Sequence, residues 1–520
     1  MTTYDNYNWR ETQPGVWKRE ADEGEVYHAV LVKAYEETGG IFLAVSLHVS
    51  LTIPVREGSG LEETSALFDE ALRIAWARLR HEMPTLSSCV VYESTNGRWK
   101  KTYESIAGET RRDTWLQETF KTVSNGQTGG QWASTAPPPT QVATLFVVTP
   151  PGLFSSEVRR DLVLRVGHDI VDGTGGFQVL NALIHHASQA LEEGPGQRLP
   201  VFDDSEVARL SPPLRVAVAA PEQLTPELVD RMEVLKTSRL KFVNSPIEKA
   251  GIPLLKLGVL GKGKHRRIGH SFSRERTAKL IKALKSVRAS PTQAFHGAMA
   301  MAVRDLHGEV YPGAEEKQVQ WYSHAIRNER PSCIAPYNTR AHSATVYCSG
   351  SGLGLPIVMS SLTPKDSKER NQEFARILEE ARIFYRAVRE DSYQAALAPF
   401  IAGITMPKLN LPRTNDPLEW SRLNPLPKLD EKASSVYMSS LGVLDNLIDA
   451  QVGRIQADNV WVAGDHLTPD TTLCLGTFKG ELNVWMAFND AWHTEERVET
   501  FLNKCVEIVF GWADGLEETK

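Results

Sequence analysis

The residues best suited to chemistry stand in one short run, Arg165-Val166-Gly167-His168-Asp169-Ile170-Val171-Asp172-Gly173-Thr174-Gly175-Gly176. An imidazole that is neutral near pH 7 can take a proton from an alcohol as the alcohol attacks a carbonyl. His168 follows Asp161-Leu162-Val163-Leu164-Arg165-Val166, an apolar stretch that reads as a strand and would deliver the ring into the interior. Asp172, four residues on, can turn away and anchor the turn on an arginine. Gly173, Gly175 and Gly176 let a partner approach closely. The bare pattern His-x-x-x-Asp-Gly is weak by itself, and its setting strengthens it. A strand precedes it, a glycine-rich turn follows, and a helix then carries Phe177, Leu180, Leu183, Ile184, Ala187 and Leu191 on one face. The plainer alternative is a satisfied histidine at a strand end.

Elements of both kinds must position this run. Residues 26–55, with runs such as Phe42-Leu43-Ala44-Val45-Ser46-Leu47, read as strands. Apolar residues at 67, 68, 71, 72, 75, 76 and 79 predict an amphipathic helix that ends before Pro84. Cys89–Tyr92 and Gln141–Thr149 read as strands, and the Gly- and Pro-rich stretch 122–140 as a loop. Beyond the motif helix a Pro-rich polar segment holds one short helix near 225–240. Ser273 caps a helix through Leu280 and Leu284, and another follows Ser290-Pro291-Thr292. Residues 368–391 form a charged helix, 399–430 are irregular, and strands near 436–441, 460–462 and 482–488 precede a closing helix from Glu495. The fold class expected is α/β with mixed sheets and helices in two lobes. Residues 1–210 form the first lobe with the histidine motif, 211–262 a crossover linker, and 263–520 the second lobe.

Composition narrows the function classes. The 520 residues carry a net charge of −6, which argues against a nucleic-acid binder, since phosphate neutralisation needs a concentrated basic face. Five scattered cysteines without CxxC spacing predict free thiols in a reducing compartment and no structural metal. No apolar run approaches membrane-spanning length, and the polar start Met1-Thr2-Thr3-Tyr4 shows no signal region. The expectation is a cytoplasmic protein without a membrane or nucleic-acid partner.

The histidine segment resembles the active-site motif of the acyltransferase superfamily of plant-type BAHD enzymes, chloramphenicol acetyltransferases and peptide-synthetase condensation domains. The likeness extends over most of the chain: Leu79-Arg80-His81-Glu82-Met83-Pro84 looks like the end of the opening helix, Ser290-Pro291-Thr292-Gln293-Ala294-Phe295 like the start of the second lobe's core helix, and Ser439-Ser440-Leu441-Gly442 and Gly480–Trp485 like late strands. The opening Tyr7-Asn8-Trp9-Arg10-Glu11 with Pro14-Gly15-Val16-Trp17, the length and the crossover layout resemble fungal trichothecene 15-O-acetyltransferases. The resemblance implies a chloramphenicol acetyltransferase-like fold with an active-site tunnel between its lobes. It implies His168 as general base and Asp172 and Gly173 as structural support. It implies Arg327 as the partner of Asp172, with Arg330 the competing candidate. Acetyl-CoA would serve as co-substrate, with no permanently bound cofactor, a small-molecule alcohol as acceptor, and a monomer as the working form. Two departures are visible. The second histidine of many relatives is replaced by Gly167, and the BAHD signature Asp-Phe-Gly-Trp-Gly is absent after Ser440, so the oxyanion donor is not identified.

Weaker signals have plain readings. Lys262, Lys264, His265, Arg266, Arg267, Arg274 and Arg276 form a basic stretch that could meet the phosphates of coenzyme A, although a solvated strand edge is the simpler reading. His185-His186 lack partners at ligand spacing. Trp461, Trp485 and Trp492 suit either a terpenoid pocket or the core. Beside O-acyl transfer stand two alternatives: condensation-type N-acyl transfer from a carrier, and a non-catalytic ligand-binding relative.

Overall fold

Strand Val45–Pro54 alternates along its length: Val45, Leu47, Val49, Leu51 and Ile53 are at most 4% exposed. They pack beneath helices Leu61–Glu82 and Gly173–Glu193, with Phe68, Leu72, Phe177 and Leu180 completing the core. The polar residues between them, Ser46, His48 and Ser50, are buried as well. Period-two patterning with both faces covered is what a central strand requires. In the computed structural model this strand is third in a six-stranded mixed sheet. The order is Gln451–Val452, Ile455–Gly464, Val45–Pro54, Glu157–Val166, Thr144–Val148 and Phe120–Val123. The structure describes residues 4–518 apart from 42, 57, 59, 136, 138–139, 153–155, 195, 197, 255–257, 261, 311–315, 407, 412–416 and 427–432.

The second half builds a four-stranded sheet in the order His265–Phe272, Glu481–Asn489, Thr471–Phe478 and Val436–Val443. Its inner residues Leu473, Leu475, Val484, Met486 and Phe488 pack on helices Arg274–Ser286, Pro291–Val310 and Glu495–Glu518. Ser273 caps the first of these helices through the Arg276 amide. A three-stranded sheet of Gln318–Asn328, Cys348–Ser360 and Glu248–Lys249 completes the layer. The halves exchange material, because Gln451–Val452 and Ile455–Gly464 belong by sequence to the second half but complete the first half's sheet. The 211–262 segment contains helix Pro226–Val243 and is tied to the first half by Arg215–Glu23 and by the Ser211 amide on Thr85.

Three local expectations are corrected. Residues 26–34, expected as strand, lie in helix Glu23–Ala34, because Asp22 and Glu25 form a reciprocal capping box that outweighs the β-branched content. A second box, Thr128 with Gln131, starts a short helix at Gly129–Ala133 inside the expected loop. Helix Gln394–Thr405 runs through Pro399 into the stretch expected to be irregular; the expectation for 407, 412–416 and 427–430 lies outside the described residues. Among the described residues no helix is long and apolar enough to cross a membrane.

Candidate active site

Strand Glu157–Val166 pairs with Val45–Pro54 until Val166 meets Val45, and the chain there leaves the sheet. A turn closed by the Ile170 amide on the Gly167 carbonyl (3.1 Å) follows, and the half-buried His168 sits in it. Its Nδ1 is buried and has no hydrogen-bond partner in another residue. Burial lowers the His168 pKa below the usual histidine value, opposed by its own backbone carbonyl, Asp172 and Asp169. The ring is therefore predominantly neutral at pH 7.

Asp172 performs three tasks at once. It is the N-cap of helix Gly173–Glu193, accepting the Gly175 amide at 2.7 Å. It accepts Arg330 NH1 on both carboxylate oxygens, at 2.9 and 2.8 Å, and the Tyr347 amide at 2.9 Å. Arg330 in turn donates to the carbonyls of Ser343 (3.3 Å) and Thr345 (3.1 Å). The ion pair is sealed, with Asp172 2% and Arg330 6% exposed. It ties the helix start, in the first half, to the 330–347 loops of the second. Gly175 has no room for a side chain: a Cβ would lie 2.2 Å from the Ser343 carbonyl and 2.5 Å from Arg330. At Gly173 a Cβ would come within 3.0 Å of Leu441, a tight but yielding contact.

The arginine expected against Asp172 was Arg327, and the structure places Arg330 there instead. Arg327 lies within strand Gln318–Asn328 and donates to the carbonyls of Asp391 (2.9 Å) and Val388 (3.3 Å), closing the end of helix Ser367–Glu390. Arg330 lies past the strand, in a 3-10 turn, where the Asn328 side chain accepts its amide and the chain bends back toward Asp172.

One neighbour of His168 was not anticipated. His28, on helix Glu23–Ala34, lies parallel to it with ring centroids 4.6 Å apart and planes 5° apart. Burial, then His168 and then Lys101, holds the His28 pKa well below the ordinary value. Lys101, 1% exposed, links the two elements: its Nζ donates to the Asp169 carbonyl at 2.6 Å and lies 3.6 Å from Glu25, which pairs with Arg19 at 2.7 Å. Nothing in sequence spacing connects residue 28 with 168; the Asp22–Glu25 cap was the one legible sign that His28 sits on a helix.

Other singled-out groups lie apart from this cluster. His185 pairs with Asp449 and His186 with Glu82 on a helix surface. Trp461, Trp485 and Trp492 are buried. All five cysteines are free. His81, Asp203 and Glu206 place ligand atoms within 4.8 Å of one another. The Arg209 guanidinium, 3.1 Å from His81 Nδ1, opposes a cation there, and Tyr103 donates to Glu206.

The whole architecture was compared with known proteins. No protein-family profile matches the chain. The solved TRI3 trichothecene 15-O-acetyltransferase of Fusarium sporotrichioides superposes with a TM-score of 0.75, at 15% identity, over 98% of this chain and 99% of that one. The chain has the chloramphenicol acetyltransferase-like fold. A condensation domain of the CDA synthetase shares this fold at a TM-score of 0.56 and 15% identity, over 95% of each chain. In sequence, the acetyltransferase pigO of Monascus ruber is 23% identical over 489 residues, 93% of this chain and 94% of its own length. The O-acetyltransferase pigM of the same organism is 23% identical over 494 residues, 93% and 83% of the two chains.

Proposed function

We propose that this acyltransferase moves an acetyl group from acetyl-CoA to a hydroxyl of a small secondary metabolite of the trichothecene-type sesquiterpenoid class, with His168 as general base. The observation that carries the reading is the neutral His168 imidazole, stacked on His28 and held at a turn anchored by the sealed Asp172–Arg330 pair. With Nδ1 buried, Nε2 is the nitrogen left to act. It takes the acceptor's hydroxyl proton as that oxygen attacks the thioester carbonyl. The carbon–sulfur bond then breaks, and the imidazolium returns the proton to the departing thiolate. The products are an ester and free coenzyme A, and no covalent enzyme intermediate is required. Both histidines of the stack are held neutral by burial, so the base is ready at physiological pH without a carboxylate oriented behind it.

The wide match to fungal acetyltransferases supports the donor class, and the trichothecene enzyme's fold suggests the acceptor class. The reading includes a monomer working in the cytoplasm. It is tested by thiol release from acetyl-CoA over hydroxylated sesquiterpenoids and over amines, with product mass measured. Acetyl esters support it. Amide products, or no turnover with any alcohol, would overturn it in favour of condensation-type transfer or ligand binding.

A further inference from the structure

Buried charges are ordinarily paired, since an unpaired one costs several kcal/mol of desolvation. Arg19, Arg160, Arg165, Arg215, Arg304 and Arg330 follow the rule, each meeting a carboxylate. Arg267 does not. It lies on His265–Phe272, the edge strand of the four-stranded sheet, opposite Ala487 and on the side facing the first half. Its guanidinium sits over the Trp461 indole at 4.5 Å, with Trp485 at 6.0 Å. Among the described residues no carboxylate, carbonyl or hydroxyl accepts a hydrogen bond from it. Burial drives its pKa down to about 10, and the only side chain opposing this is the Cys474 thiol, itself held un-ionised by burial. Its basic neighbours are accounted for: Arg266 pairs with Asp490, Arg276 stacks on Phe510, and Lys262 and Lys264 are exposed.

Two further polar atoms at this seam lack partners. Trp461 Nε1 is buried without an acceptor. His48, stacked on Trp461 at 4.8 Å, spends Nδ1 on the Asn459 carbonyl and leaves Nε2 buried and unpartnered. Trp461 and His48 belong to the sheet whose strand Glu157–Val166 ends at His168. A flat guanidinium held on an indole, with its donors unspent, matches the planar fork that carboxylates and phosphates accept.

We infer that Arg267 and Trp461 form an oxyanion subsite in the seam between the two sheets, which takes a phosphate or carboxylate group of a substrate as the missing counter-ion. The inference deepens the acyl-transfer reading and rests on it for the substrate, but its test reads binding and not turnover. Melting temperatures of the full chain are measured with inorganic phosphate, coenzyme A and benzoate at constant ionic strength, for the wild type, R267M and R267K. At least one oxyanion should raise the wild-type melting temperature and leave R267M unmoved. The corresponding ligand should bind R267M about 10- to 100-fold more weakly, the loss of one charge-assisted bidentate contact. R267K, with a point charge in place of a fork, should fall between them. Without ligand, R267M should melt close to the wild type, because the partly buried guanidinium gives up no ion pair and no hydrogen bond among the described residues. A response to coenzyme A and phosphate assigns the subsite to the donor's phosphates; a response to benzoate alone assigns it to an acceptor carboxylate. The inference is overturned if no oxyanion acts, if R267M responds as the wild type does, or if R267M melts several degrees lower, as a purely packing role for the arginine requires.

Discussion

Removing one partner of the Asp172–Arg330 pair exposes how much of the site depends on it. In Asp172→Asn the buried Arg330 guanidinium loses its counter-charge, and one of the two carboxylate oxygens that serve Gly175, Tyr347 and Arg330 becomes a donor. In Arg330→Met a carboxylate that is 2% exposed keeps only two backbone donors. Breaking a buried pair from one side costs about 3–5 kcal/mol. At roughly 2.1 cal/mol/K per residue the unfolding entropy of a chain of this length is about 1.1 kcal/mol/K, so each single variant should lose about 3–5 °C in melting temperature. The double variant removes both charges and should cost much less than the sum of the singles. Its coupling energy should be about 3 kcal/mol, at the upper end for contacting residues. Arg327→Met, which loses carbonyl contacts at a helix end and a longer, 3.4 Å ion pair with the buried Glu329, should cost about 2 kcal/mol, less than either partner of the bidentate pair. Differential scanning calorimetry on the four proteins and the Arg327 control measures all of these. Equal costs for Arg327→Met and Arg330→Met, or additivity in the cycle, would refute the reasoning.

Two other consequences follow from the buried histidines. His48, His296 and His466 are held by burial at about 4, 3 and 3, so the unfolded chain takes up protons near pH 6.5 that the native state refuses. Native stability is therefore complete above that pH and should fall by about 4 kcal/mol per pH unit below it, until the folded values are reached near pH 4–3. A melting temperature unchanged between pH 7 and 5 would contradict this. The ring of His28 stacks face to face on His168 and covers one side of it, so His28→Ala should move the acid limb of kcat/KM up toward pH 6.5 and lower kcat about 10- to 100-fold, whereas His28→Phe, which keeps a flat ring, should hold the limb below that value. An Ala variant matching the wild type in both respects would leave His28 without a positioning role.

Much of this was legible in the sequence, for physical reasons. The apolar run into His168, the glycines after Asp172 and the periodicity of Gly173–Glu193 are local signals, and each formed as read. Helix Glu23–Ala34 was missed because Val26, Val30 and Val32 weigh toward strand while its capping box lies before them. The exchange of Ile455–Gly464 into the first half's sheet was invisible, since long-range pairing leaves no trace in period. Arg327 and Arg330 differ by three residues, and only the bend after Asn328 decides which reaches Asp172. The His28–His168 stack and the solitary Arg267 are products of tertiary placement alone.

The most direct test of the account is the rate of thiol release from acetyl-CoA by His168→Ala at saturating acceptor, with its melting temperature recorded alongside. The account predicts a loss of about 10²–10⁴-fold, the usual share of a positioned base, in a protein that still unfolds cooperatively near the wild-type temperature. A folded variant that keeps a tenth or more of the wild-type rate would mean that another group carries the proton, and His168 would not be the base.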